Sequence, residues 1–466
     1  MKMKTITACV AAFSLIGVPV VSAQQETPPP GADPRDFSLP KIESYKLRNG
    51  VQVTLAEYGI VPKATIRATV RVGNLNDGDH PWIADLTAQM MAEGAGGLSA
   101  SEQALAAASM GGDVNVGVGL DQTTVAMDVL SESAGDAVTL IADVLREPNL
   151  PEGEFDRVKQ NLLRNLSVAG SRPQSLADNA FIGAMYPDHP YANAVLPDAE
   201  EFSALALDQV KTFHRENFGG ARTHIYVVGN FNRRAVKRAI KRAFSKWDEG
   251  APALSLVPGE SVAPTVRLVD RPGAVQSTIR LGKRVPAINQ SLDLEAVDTM
   301  LGGYFSSRIT RNIREDKGYT YSPNSAVSIE RGAAYWRQNA DITSEATGPA
   351  LAEVLKEIKL LQENLPPEDE LEGVKNYMNG IFVIRLASRG GLASQLGFVN
   401  LHELGIDYLS NYVGVVNALT AEDVQAAARE HLNIDDLTLA VVGDLATVRA
   451  QLEALPAFVD QLPPAK

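Results

Sequence analysis

Cysteine is almost missing from this 466-residue chain, and the one present, Cys9, lies in the first apolar stretch. Disulfides and thiolate-ligated metal sites are therefore excluded, whatever the redox compartment. Basic residues are in deficit, 43 against 56 acidic ones, a formal charge of -13. Phosphate binding needs a basic face, so nucleic acid is excluded as a partner class. Histidine is scarce: His80, His189, His214, His224, His402 and His431, no two of them at the helical spacing that brings two imidazoles to one metal. Apolar runs of membrane-spanning length are also missing. The apolar stretch Ile6 to Val21 is short, follows Lys2 and Lys4, and ends in the small-residue run Val21-Ser22-Ala23. That pattern is a secretory signal peptide, residues 1–23, and sets the expectation of a periplasmic protein without a membrane anchor.

What is present is present twice. Residues 24–40, "QQETPPPGADPRDFSLP", are Pro-rich and polar and read as a flexible arm. A second break, "DEGAPALSLVPGESVAP" at 248–264, divides the rest into segments 41–247 and 265–456. "LREPNLPEGEFDRVK" (145–159) aligns without a gap on "LQENLPPEDELEGVK", 216 positions later. "LDQVKTFHRENFGGARTHIYVVGN" (207–230) aligns on "AEDVQAAAREHLNIDDLTLAVVGD" at an offset of 214. Two long matches at nearly one offset mark an internal duplication.

Helical spacing of Ala134, Val138, Ile141 and Leu145 recurs in Leu351, Val354, Leu355, Ile358 and Leu361. Between such helices lie strand-like runs, "QTTVAMDVL" (122–130) and "THIYVVGNF" (223–231). Helices and strands mix without a strict βαβ rhythm. The expected class is α+β: two homologous domains, each with helices packed on a mostly antiparallel sheet, facing each other.

"WIADLTAQMMAEG" (82–94) reads as a helix whose residues 85, 88 and 89 share one face. With "LRNGVQVTLAE" (47–57), "LREPNLPEGEFDRVKQNLLRNL" (145–166) and "MLGGYFSSRITRNIREDKGYTYSPNS" (300–325), it resembles the metallopeptidase family of insulinase, pitrilysin and the mitochondrial processing peptidase. The resemblance covers nearly all of the chain beyond the leader. It implies a duplicated domain pair forming half of a clamshell. In that family the helix carries His-x-x-Glu-His, two zinc ligands and a general base, and a distal glutamate completes the site. The register implied by the resemblance puts Asp85 and Gln89 at the histidines, Ala88 at the base, Asn165 at the distal ligand and Val158 at its supporting acid. Neutral amides are poor zinc ligands, and Ala88 takes no proton from water. No zinc or other cofactor is expected in this chain.

The second half keeps the family's other element, an arginine and a tyrosine that bind substrate, here Arg314 and Tyr321; Tyr319 is the alternative by register. A guanidinium donates to a peptide carbonyl, and a phenol donates to the oxyanion that forms from it. By themselves, "RNIRED" reads equally as a solvated helix face and the tyrosines as strand aromatics. In "GGDVNVGVGL" (111–120), Asn115 and Val116 either pair with peptide or belong to an ordinary edge strand. Gly302-Gly303 lacks the Lys of a phosphate loop. The resemblance implies a zinc-free subunit that pairs with a zinc-bearing paralogue to cleave peptides. Two other readings stand beside it: a peptide-binding scaffold, and a peptidase with an unrecognised site.

Overall fold

The computed structural model describes residues 38–464 except 188, 195, 256–258, 260–261 and 288–291. The leader at 1–23, and the arm up to residue 37, lie outside the described residues.

The first half contains β1 (Ile42–Lys46), β2 (Gln52–Glu57), β3 (Lys63–Val70), a small hairpin of β4 (Gly94–Ala95) and β5 (Leu98–Ser99), β6 (Asn115–Val118), β7 (Thr123–Leu130) and β8 (Thr223–Gly229). The second half contains β9 (Val266–Asp270), β10 (Gln276–Val285), β11 (Asn324–Glu330), β12 (Ala333–Thr343) and β13 (Thr438–Gly443). The first sheet has the order β1-β2-β8-β3-β7-β6, the second β11-β12-β10-β13-β9. Read from its other edge, the second repeats β2-β8-β3-β7-β6 strand for strand. Each sheet is antiparallel except for one parallel pair, β2 with β8 and β9 with β13. The fold class is α+β, as the sequence implied, and the duplication extends to topology.

Strand composition follows from what covers each face. β7 alternates between buried and part-buried residues, the pattern of a sheet face packed on one side. Central β8 is buried from Ile225 through Gly229. One of its faces takes a helix from the other half. Arg389–Leu401 lies on β8 and β3, and the corresponding first-half helix, Pro173–Met185, lies on β13, β10 and β9. The halves therefore do more than face each other; they exchange a helix. Pro173 starts its helix where a missing N–H costs nothing. The same helix buries Phe181, Ile182 and Met185, which stabilises the pairing by on the order of 5–9 kcal/mol before ordering entropy.

Polar contacts repeat across the exchange. Arg280 Nε donates to Asp178 Oδ1 at 2.7 Å, and Arg337 Nη1 donates to the same oxygen at 2.8 Å. At the related place, Arg67 Nη1 donates to Ser394 Oγ at 2.7 Å. Thr278 donates to Asp341, which also accepts from Gln174; likewise Thr65 donates to Asp128, which pairs with Arg389. The segment after Trp247 is held too, since Arg222 Nε donates to the carbonyls of Ala251 and Pro252.

Candidate functional site

The helix Ile83–Met91 begins at Trp82, which adopts a left-handed φ of 64°. Asp77 caps it, accepting the backbone N–H groups of Trp82 at 2.8 Å and Ala84 at 3.0 Å. Asn74 Nδ2 bridges from Asp77 to Asp85, donating to Asp85 Oδ2 at 2.6 Å and to Asp77 Oδ2 at 3.2 Å. Burial raises the pKa of Asp85 and pushes Asp77 up to about 7. Asp85 thus serves a buried polar chain that holds the helix start.

The other positions offer less. Ala88 is buried at 2% exposure and has no donor atom. Gln89 and Asn165 are exposed neutral amides, Asn165 on the helix Glu152–Gly170 that packs against Ile83–Met91. Val158 is buried in the core. His80 meets Gln209 at 3.1 Å, as a loop residue. Among the described residues, no three His, Cys, Asp or Glu side chains converge to hold a metal. This donor set does not fit zinc.

A hydroxyl–imidazole contact does occur: Thr54 Oγ1 lies 2.8 Å from His224 Nε2 and 3.0 Å from Ser44 Oγ. Thr54 is only 2% exposed, and burial, aided by Arg71, drives the His224 pKa down to about 3. So weak a base behind so buried a hydroxyl does not make a nucleophile.

In the second half, the chain winds through a wide turn, Thr310–Asp316, and reverses at Gly318, whose φ of 64° suits glycine. Tyr319 is fixed by its backbone, its N–H donating to Ile313 and its carbonyl accepting from Thr343. Tyr321 projects outward at 79% exposure. The Arg314 guanidinium carbon lies 5.2 Å from the Tyr321 ring centroid and 4.3 Å from that of Phe305, itself 64% exposed. The structure thus brings Arg314 and Tyr321 together and adds Phe305, giving a cation in contact with two exposed rings.

Phe305 escaped the sequence reading. Its signal was an aromatic residue in a glycine-rich loop, "GGYFSS", where a polar residue is the usual choice. Asn115 and Val116 do lie on an edge strand, β6, against the Ile83–Met91 helix, with Asn115 Nδ2 donating to Asp113 at 2.6 Å. Gly302 is explained by space: a Cβ there would stand 2.6 Å from Ser325 Oγ.

A duplicated α+β pair, a helix without a metal-ligating donor set in one half and an arginine–tyrosine contact in the other define the scaffold. The family models agree. Residues 53–199 match the insulinase model of peptidase family M16, and residues 204–378 match the M16 inactive domain. The chain belongs to peptidase family M16. It is 23% identical over 435 residues to an uncharacterized zinc protease of Mycobacterium bovis, covering 92% of this chain and 98% of that one. The uncharacterized zinc protease YmxG of Bacillus subtilis is 24% identical over 409 residues, covering 86% and 98%. A solved peptidase M16 inactive domain from Pseudomonas fluorescens superposes with a TM-score of 0.81 at 25% identity, covering 86% of this chain and 98% of that one. A protease from Helicobacter pylori shares the fold, with a TM-score of 0.80 at 20% identity over 87% of this chain and 100% of that one.

Proposed function

We propose that this chain is the zinc-free subunit of a periplasmic, heterodimeric metalloendopeptidase. Its partner is a paralogue that carries His-x-x-Glu-His and zinc. The observation that carries this reading is the contact of Arg314 with the exposed rings of Phe305 and Tyr321, in a chain whose residues 85, 88, 89 and 165 do not form a zinc donor set. Arg314 donates to a substrate peptide carbonyl, and Tyr321 donates to the oxyanion as that carbonyl becomes tetrahedral. The rings hold the guanidinium in place before substrate arrives, so little side-chain entropy is lost on binding. The periplasmic assignment rests on the leader pattern of Lys2, Lys4 and the apolar run to Val21.

The test is cleavage of a fluorogenic peptide by the purified chain, by a zinc-motif paralogue, and by the mixture. Activity confined to the mixture and abolished by a chelator is the expected result. Arg314→Ala should lower turnover of the mixture about 100-fold, in line with loss of one transition-state donor, and leave assembly intact. A mixture no more active than the paralogue alone would leave a peptide-binding scaffold as the better description.

A further inference from the structure

The duplication gives the second half its own counterpart of the retired cleft. The helix Asp293–Asp298 also begins at a left-handed non-glycine residue, Leu292, with φ 58° against 64° at Trp82. Starting both helices at these caps puts Glu295 opposite Asp85 and Asp298 opposite Ala88. The first-half cleft has lost its chemistry; the second-half one has a cavity of about 330 Å³, within the range of small-ligand sites.

The cavity walls carry two features that belong together. Glu295 and Asp298 line one side, supported by neutral donors. Tyr412 Oη donates to Glu295 at 3.3 Å, while Ser325 Oγ at 2.6 Å and Trp336 Nε1 at 2.9 Å both donate to Asp298 Oδ1. The other oxygen, Oδ2, lies beside Gly303, where a Cβ would approach it to 3.0 Å, so glycine keeps that side of the carboxylate clear. Aromatic rings share the lining: Phe398, Tyr408 and Tyr412 follow one another with centroids 6.2 Å apart, and Phe382 stacks on Tyr412 at 4.1 Å. Among the described lining residues the one cation is the exposed Arg385, which lowers the Glu295 pKa without offsetting its burial. Two carboxyl groups thus share a cavity with one guanidinium; burial holds both toward the protonated form, and an arriving cation favours their ionisation. Aromatic faces and carboxylates around a space of this size match an alkylammonium group, whose charge meets the acids and whose methylenes meet the rings.

We propose that this cavity binds a primary ammonium group on an aliphatic stem, from a free amine or from a lysine side chain. None of its lining residues belongs to the Arg314 element. It is tested on the purified chain alone by isothermal titration with butylammonium, with 1,5-diaminopentane, and with Nα-acetyl-lysine amide beside its ε-acetylated form. Saturable binding is expected for the charged probes and none for the ε-acetylated one. Binding of the lysine amide as well as the free amines points to peptide side chains as the source; binding of the free amines alone points to small amines. Glu295→Gln should weaken binding at least about tenfold, as loss of a charge-assisted hydrogen bond does. Arg385→Ala removes a like charge from an exposed position and should strengthen binding several-fold; it also keeps the test open if the Glu295 variant fails to fold. No saturable binding by wild type, equal affinity in Glu295→Gln, or weaker binding in Arg385→Ala would each overturn the proposal.

Discussion

Asp178→Ala tests whether the exchanged helices hold the two halves together. Asp178 sits on the helix Pro173–Met185 and accepts from Arg280 at 2.7 Å and Arg337 at 2.8 Å, both on strands of the other half. The Arg280 side chain is 8% exposed, so removing its partner leaves a guanidinium in poor contact with water. Stranding a fully buried charge costs roughly 3–5 kcal/mol. Asp178 itself is 39% exposed, and Arg280 keeps its bonds to the carbonyls of Ile279 and Gln174. Both facts lower the expected loss to about 2 kcal/mol. Urea unfolding, followed by tryptophan fluorescence and by far-ultraviolet circular dichroism, measures it. Because each half covers the sheet of the other, the two probes should move together to a lower midpoint with unchanged slope. Combining Asp178→Leu with Arg280→Met removes both charges and should recover most of the loss. A single variant within about 0.5 kcal/mol of wild type would refute the reasoning, since that is the scale of an ordinary surface substitution.

Three further outcomes are expected. A zinc site filled at 100 times its Kd would add about 2.7 kcal/mol of stability, so zinc and chelators should leave the melting temperature of this chain unchanged. Burial pushes Asp77 and Asp298 up to about 7 and Glu330 up to about 8, while the unfolded chain releases these protons near pH 4. The folded state then holds more protons, and stability falls as pH rises. Buried histidines, whose pKa values are lowered, oppose this below about pH 6.5, so the comparison belongs at pH 7 against 8.5. The melting temperature should be higher at pH 7, with Asp77→Asn reducing the difference; the reverse order would contradict these assignments. Phe305→Ala should change stability by less than about 1 kcal/mol, the scale of an exposed cation–π contact, yet lower turnover of the mixed enzyme several-fold. Unchanged turnover would remove Phe305 from the site.

The sequence disclosed those parts of the structure that rest on local pattern. Helical spacing at Ala134 to Leu145 and at Leu351 to Leu361 marked helices that the structure contains, and the repeated Val-Val-Gly segments marked β8 and β13. That position 88 offers no donor atom was legible because alanine has none in any fold. The helix exchange was not legible. The apolar residues of Pro173–Met185 show that it is buried, but periodicity is blind to which sheet receives it. Asp77 and Asn74 stayed hidden for a related reason, since the cap is made by a loop that precedes the helix by several residues. Phe305 looked like part of a loop because its partner, Arg314, comes close only after the chain has turned.

The exchanged helices also bear on how such a chain arises. In a half-length protein with this plan, the helix after the long Glu152–Gly170 segment has no place on its own sheet. It satisfies the sheet of a second copy instead, and that copy returns the favour, which is the geometry of a swapped homodimer. The present chain holds the geometry of such a dimer within one polypeptide. One shared architecture therefore carries different side chains in its two halves: Arg314 meets Phe305 and Tyr321 in the second, while Ala88 is buried in the helix Ile83–Met91 of the first.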